Sequence, residues 1–177
     1  MIPPRLALLR QKIAPQEKWR TQHAVETRRR HTPVDLFRLV TAHHGPMVYL
    51  TALILGGVFD RFPGLRVAVV ELGAEWLPPW VRFLDNRVAG FGPSAGLGLC
   101  QSPSWYVREH IRITPYHWEN VRELLSDETL SGIYCFSTDF PHAEGGSASV
   151  SDAQQRLDGL PAETLASYFH GAAMAII

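Results

Sequence analysis

From about residue 35 onward, short apolar runs suited to buried strands alternate with longer stretches of helical period. Ile133, Tyr134, Cys135 and Phe136 follow one another without a polar interruption, the pattern of a strand buried on both faces. Arg66 to Val70 is a β-branched run and Ile111 to Thr114 a third short strand. Met47 to Phe59 predicts a helix apolar nearly all round, opened by the break at His43-His44-Gly45-Pro46 and ended by Phe62-Pro63-Gly64. Trp76 to Ala89 predicts an amphipathic helix with Trp76, Trp80, Phe83 and Leu84 on one side and Arg82, Asp85 and Arg87 on the other. Trp118 to Leu125, Ser151 to Leu160 and Ala162 to Ile177 read as further helices. Strands alternating with helices in this way predict an α/β protein with a parallel sheet.

Chemistry gathers where these strands end. After Phe136 the chain turns polar at once, through Ser137, Thr138 and Asp139, and Pro141 stops the ladder from continuing. Asp139 is therefore expected at the carboxyl end of a buried strand, with His142 three residues on, where α/β enzymes place their reacting groups. A carboxylate there can ligate a divalent metal or exchange a proton with water. It can equally cap the turn before Phe140-Pro141. Glu71 ends the Arg66 to Val70 run as Asp139 ends the last one, and a buried carboxylate at that place requires a partner. It reads either as a base or as half of an ion pair with an arginine of the next loop. Thr114, Tyr116 and His117 fall at or beyond the end of the third strand.

Ser137-Thr-Asp-Phe-Pro-His142 resembles the (S/T)-D-(F/Y)-P-H segment of the amidohydrolase-related family, metal-dependent TIM barrels that include hydrolases and decarboxylases of the aminocarboxymuconate-semialdehyde type. Leu53-Ile-Leu-Gly-Gly-Val-Phe-Asp-Arg-Phe-Pro-Gly-Leu-Arg-Val67 and Val70-Glu-Leu-Gly-Ala-Glu-Trp-Leu-Pro-Pro-Trp80 resemble a second block of the same family, in the same order. Ser102-Pro-Ser-Trp-Tyr-Val-Arg-Glu-His110 resembles a third, a short helix before a strand. The resemblance runs from Asp35 to Ile177 and corresponds to the C-terminal half of a family barrel. It implies an α/β partial TIM barrel of about three strand-helix units, since a whole barrel takes about 250 residues. It implies a metal-dependent hydrolase, with decarboxylation of a small organic acid on the same site as the alternative, and a non-catalytic remnant or partner-binding fragment as the rival from another class. Asp139 and Glu71 take the catalytic places, Asp139 also the metal place, with a divalent metal, zinc first, as cofactor. His43, His44, His142 and Trp76 take substrate-binding places. The family's fifth-strand metal histidine falls near His23, although its neighbours are too polar for a buried strand. Many members carry histidine where this chain has Glu71, and the first-strand His-x-His pair has no counterpart in the sequence.

Composition narrows the remaining classes. The chain has 177 residues with 17 basic and 17 acidic side chains, so it offers no overall field for a polyanion. Charge is uneven, however: residues 1–45 hold nine Lys or Arg against three Asp or Glu, including Arg28-Arg29-Arg30. Residues 1–34 read as a basic arm of little apolar period, a solvated face without the interleaved aromatics of a nucleic-acid site. Met47 to Phe59 is too short an apolar run to span a bilayer, and Met1 to Arg10 lacks a secretory pattern. Cys100 and Cys135 form no spacing pattern, so reduced thiols and a cytoplasmic setting are expected. A half sheet leaves open edges, which predicts a homo-oligomer or dependence on an N-terminal half of the barrel.

Overall fold

The computed structural model of the protein describes residues 36–139 and 149–176. The predicted basic arm at 1–34 with His23, and His142 with the glycine-rich segment after it, lie outside the described residues.

Helix α1 (Leu36–Thr41) leads into α2 (His44–Leu55). The expected break at His43-His44-Gly45-Pro46 is instead the start of α2, with Pro46 in the first turn, where a missing N–H costs no helical bond. The same helix stops before Phe59, because Gly57 takes a φ of 63° and turns the chain into α3 (Val58–Arg61). Leu50 and Ile54 are the buried residues of α2, whereas Val48 and Tyr49 face outward.

Strand β1 (Val67–Val69) is followed by α4 (Leu77–Phe91), whose buried side is Leu77, Trp80, Val81 and Leu84. Phe83 departs from the predicted apolar side: it is 54% exposed, and the Arg87 guanidinium covers its ring at 4.7 Å. Ser102 caps α5 (Pro103–His110) by accepting the Trp105 N–H at 3.3 Å, and β2 (Ile111–Ile113) follows without a loop. Asn120 takes the cap position of α6 (Val121–Leu125), which is why this helix begins three residues later than Trp118. The chain closes with α7 (Ser149–Arg156), α8 (Ala162–Ala166), a wide π turn (Ser167–Gly171) and α9 (Ala172–Met174).

β1 and β2 pair in parallel, Val67 with Ile111, Ala68 with Arg112 and Val69 with Ile113. The expected third strand is reduced to a 3-10 turn (Ser131–Ile133) and one parallel bridge between Ile113 and Tyr134. Cys135 N–H still donates to the Ile113 carbonyl at 2.8 Å, but Phe136 N–H donates to the carbonyl of Tyr168 in the π turn at 2.9 Å. A helix carbonyl therefore stands where a further strand would extend the ladder. Ile133, Tyr134 and Cys135 are all buried, so this segment is covered on both sides as its sequence predicts.

The core joins Leu50, Ile54, Phe59, Val69, Leu77, Trp80, Ile111, Ile113 and Ile133. Each fully buried side chain of this size is worth about 1.5–3 kcal/mol relative to exposure. The opposite strand face carries Arg112, whose Nε donates to the Ala172 carbonyl at 3.1 Å, and Ala68, which is exposed. Among the described residues the sheet has two strands and one bridged segment and does not close into a barrel. No described helix is long and apolar enough to cross a membrane.

Candidate active site

At the carboxyl ends of the parallel segments the backbone does something uncommon. Among the described residues, the non-glycine positions with positive φ are Glu71 at 63° and Asp139 at 55°. Such a conformation costs on the order of 1–3 kcal/mol and persists only where surrounding contacts over-determine it. Aspartate adopts it more readily, because its short side chain can bond locally. Glu71 has its backbone held by the neighbouring loop. Its N–H donates to Thr114 Oγ1 at 3.2 Å, and its carbonyl accepts the Tyr116 hydroxyl at 2.5 Å. At the other strand end, the Asp139 N–H donates to Ser137 Oγ at 3.2 Å.

Glu71 and Asp139 line one pocket with Thr114, Pro115, Tyr116, His117, Ser137 and Thr138. Its volume is about 10 Å³, close to the minimum that holds one water. The two residues predicted as catalytic thus share a pocket, with Glu71 exposed and Asp139 partly buried. His43, His44 and Trp76 are brought together elsewhere and do not line it. The two imidazoles meet edge to face at 4.4 Å, and His43 stacks against Trp76 with ring centroids 6.0 Å apart. Burial, and then the neighbouring His44, hold the His43 pKa below the usual histidine value. Trp76 is tied back to the loop after β1 by its Nε1–H, which donates to the Gly73 carbonyl at 2.9 Å.

Sequence reasoning missed two residues of consequence. Glu119 is more than half buried, and its carboxylate accepts the backbone N–H groups of Ala74, Glu75 and Tyr116 at 2.7–3.0 Å. Burial pushes its pKa up while these N–H groups oppose the rise and the Glu75 charge adds to it. His110 is buried at the other end of the strands, with Nδ1 2.8 Å from the Leu65 carbonyl and its ring stacked on Phe59 at 4.4 Å. The only local signal for either was a polar residue beside a predicted strand or helix start.

A family model described as amidohydrolase matches residues 28–177. The chain belongs to the amidohydrolase family. An amidohydrolase from Mycobacterium avium subsp. paratuberculosis K-10 has a similar structure, with TM-score 0.67 at 20% identity over 80% of this chain and 35% of that one. The 5-carboxyvanillate decarboxylase of Sphingomonas paucimobilis reaches TM-score 0.60 at 26% identity, over 78% of this chain and 40% of that one. A dihydroxybenzoic acid decarboxylase from Polaromonas sp. JS666, with bound manganese and the inhibitor 2-nitroresorcinol, gives TM-score 0.56 at 18% identity over 82% and 47%. This amidohydrolase chain therefore spans 35–47% of the length of these structures. No curated protein matches it.

The Polaromonas structure holds manganese. In this amidohydrolase chain no three His, Cys, Asp or Glu side chains among the described residues come together as a metal-holding group. A closed site takes about four ligands, so the described residues do not by themselves fit a resident metal.

Proposed function

We propose that the water-sized pocket between Glu71 and Asp139 holds the attacking water of a hydrolytic site, with a small ester or amide lying over its mouth. The observation that carries this is the shared pocket of the two left-handed carboxylate residues, each at the carboxyl end of a parallel segment. Strained backbone held in place by neighbouring contacts is characteristic of functional sites. In this reading water adds to the carbonyl carbon as Asp139 accepts its proton. The protonated form of Glu71 gives a proton to the departing alcohol or amine, and the water oxygen ends in the acid product. Asp139 is also the residue we assign to a divalent metal, zinc first, with His23 as the weaker further candidate and His142 kept for substrate binding. Because the described residues do not complete that set, the proton steps are assigned to the carboxylates alone. His43, His44 and Trp76 form an aromatic patch that we assign to substrate binding beyond the pocket.

Decarboxylation of a small organic acid is the second reading, favoured by the 26% identity to the 5-carboxyvanillate decarboxylase. There the bond to the carboxyl carbon breaks, carbon dioxide leaves, and a protonated pocket carboxyl supplies the proton that replaces it. The test is turnover of ester, amide and carboxylic-acid substrates by the purified chain, with and without zinc or manganese, following product acid and released carbon dioxide separately. Glu71→Gln and Asp139→Ala are each expected to lower turnover by about 10²–10⁴-fold. Metal-supplemented chain that turns over none of these substrates refutes both readings and leaves a non-catalytic fragment.

A further inference from the structure

The geometry points to Glu119 as the positioning residue that fixes Glu71 in its left-handed conformation at the pocket. The assignment rests on the reading of Glu71 as a pocket carboxylate. Glu119 stands 45 residues from Ala74 in sequence, yet its carboxylate ties the loop after β1 to the loop after β2. Oε1 accepts from Ala74 N–H at 2.9 Å and Glu75 N–H at 3.0 Å, and Oε2 from Tyr116 N–H at 2.7 Å and Ala74 N–H at 3.0 Å. The Tyr116 thus placed sends its hydroxyl to the Glu71 carbonyl, while Thr114 on the same loop takes the Glu71 N–H. Both peptide groups of Glu71 are therefore held by the β2 loop, and Glu119 sets the distance between the loops.

Gly73 provides an independent sign that this approach is built in. Its φ is +67°, and a Cβ there would lie 2.8 Å from Glu119 Oε1 and 3.1 Å from the Tyr116 ring. Backbone comes this close to the carboxylate only because residue 73 has no side chain. Charge-assisted bonds from backbone N–H groups are among the stronger kinds, which suits a clamp that must overcome the preference of glutamate for negative φ.

Glu119→Gln and Glu119→Asp test the assignment, with Glu123→Gln on the neighbouring helix as control. The amide variant replaces one acceptor oxygen by a donor that faces an N–H. The aspartate variant keeps the charge but withdraws it by one methylene. Backbone couplings and carbon shifts of Glu71, which report its φ, are expected to show the left-handed conformation in the wild type and the control and to lose it in both Glu119 variants. With a substrate in hand, kcat falls about 100-fold in those variants, the scale of a small misplacement of a reacting group, with KM nearly unchanged. Unchanged Glu71 couplings in either folded Glu119 variant overturn the assignment. If Glu119→Gln does not fold, the aspartate variant decides. Full turnover by Glu71→Gln would overturn the catalytic role of Glu71, whereas the couplings still decide what Glu119 does.

Discussion

The two ends of the parallel segments are built on opposite terms. At the amino end, before β1 and β2, polar groups are packed away and hydrogen-bonded. His110 is 3% exposed, bonded to the Leu65 carbonyl and stacked on Phe59, and the hydroxyl of the buried Tyr106 donates to Asp60. Burial and that bond push the Tyr106 phenol up to about 12. At the carboxyl end two carboxylates sit on strained backbone around a water-sized pocket, one of them open to solvent. Within one small sheet, packing has been concentrated at one end and conformational strain at the other. The end we propose as the reacting one is the end where local stability has been given up.

The sharpest way to break this contrast is to remove packing at the amino end. Phe59 is 2% exposed, and Phe59→Ala is expected to destabilise the fold by about 3–5 kcal/mol. Urea denaturation measures it, and a loss no larger than that of an exposed residue such as Phe83→Ala removes the contrast. Next is Gly73→Ala, where both the positive φ and the 2.8 Å approach of Glu119 forbid a methyl group. It should cost more than about 1 kcal/mol, and thermal unfolding that matches the wild type would show the loop to be loose. Glu71→Gly reverses the sign. Relief of left-handed strain is expected to raise stability by about 1 kcal/mol while turnover falls, and a destabilised variant would place the strain elsewhere.

The smallest effect is in pH. The folded pKa of His43 lies below the ordinary 6.5, so between the two values the unfolded chain binds the extra proton. Stability from this group is present above pH 6.5 and is lost as pH falls through that window toward the folded pKa. The ring is only partly buried, so solvent screens the effect. His43→Gln should flatten the slope of stability against pH just below neutrality, and an unchanged slope assigns it to other groups.

Much of the strand-helix order was legible because it follows from local pattern. Ser102-Pro103 announced α5, and the alternation around Trp80 and Leu84 announced α4. The places of Glu71 and Asp139 were legible because a polar residue directly after an apolar run projects from the strand end. What failed did so for identifiable reasons. Ile133 to Phe136 has a strand's composition, but its ladder needs a neighbour on each side, and on one side it meets the Tyr168 carbonyl of a helical turn. Phe83 lies on an apolar stripe wider than the core it faces, and a cation covers what remains. The predicted metal role of Asp139 had His23 as its further candidate ligand, and His23, like the predicted substrate-binding His142, lies outside the described residues.

By itself the sequence determined the order in which most strands and helices alternate and membership of the amidohydrolase family, because periodicity and motifs are properties of neighbouring residues. Tertiary structure alone decided that Glu71 and Asp139 share a pocket, that His43, His44 and Trp76 gather apart from it, and that Glu119 clamps the two loops. Those relations join residues tens of positions apart, the last of them through backbone N–H groups, which every residue carries alike. A side chain that accepts them leaves no periodic trace in the sequence, and the left-handed turn it holds in place is chosen by the contacts rather than by the glutamate itself.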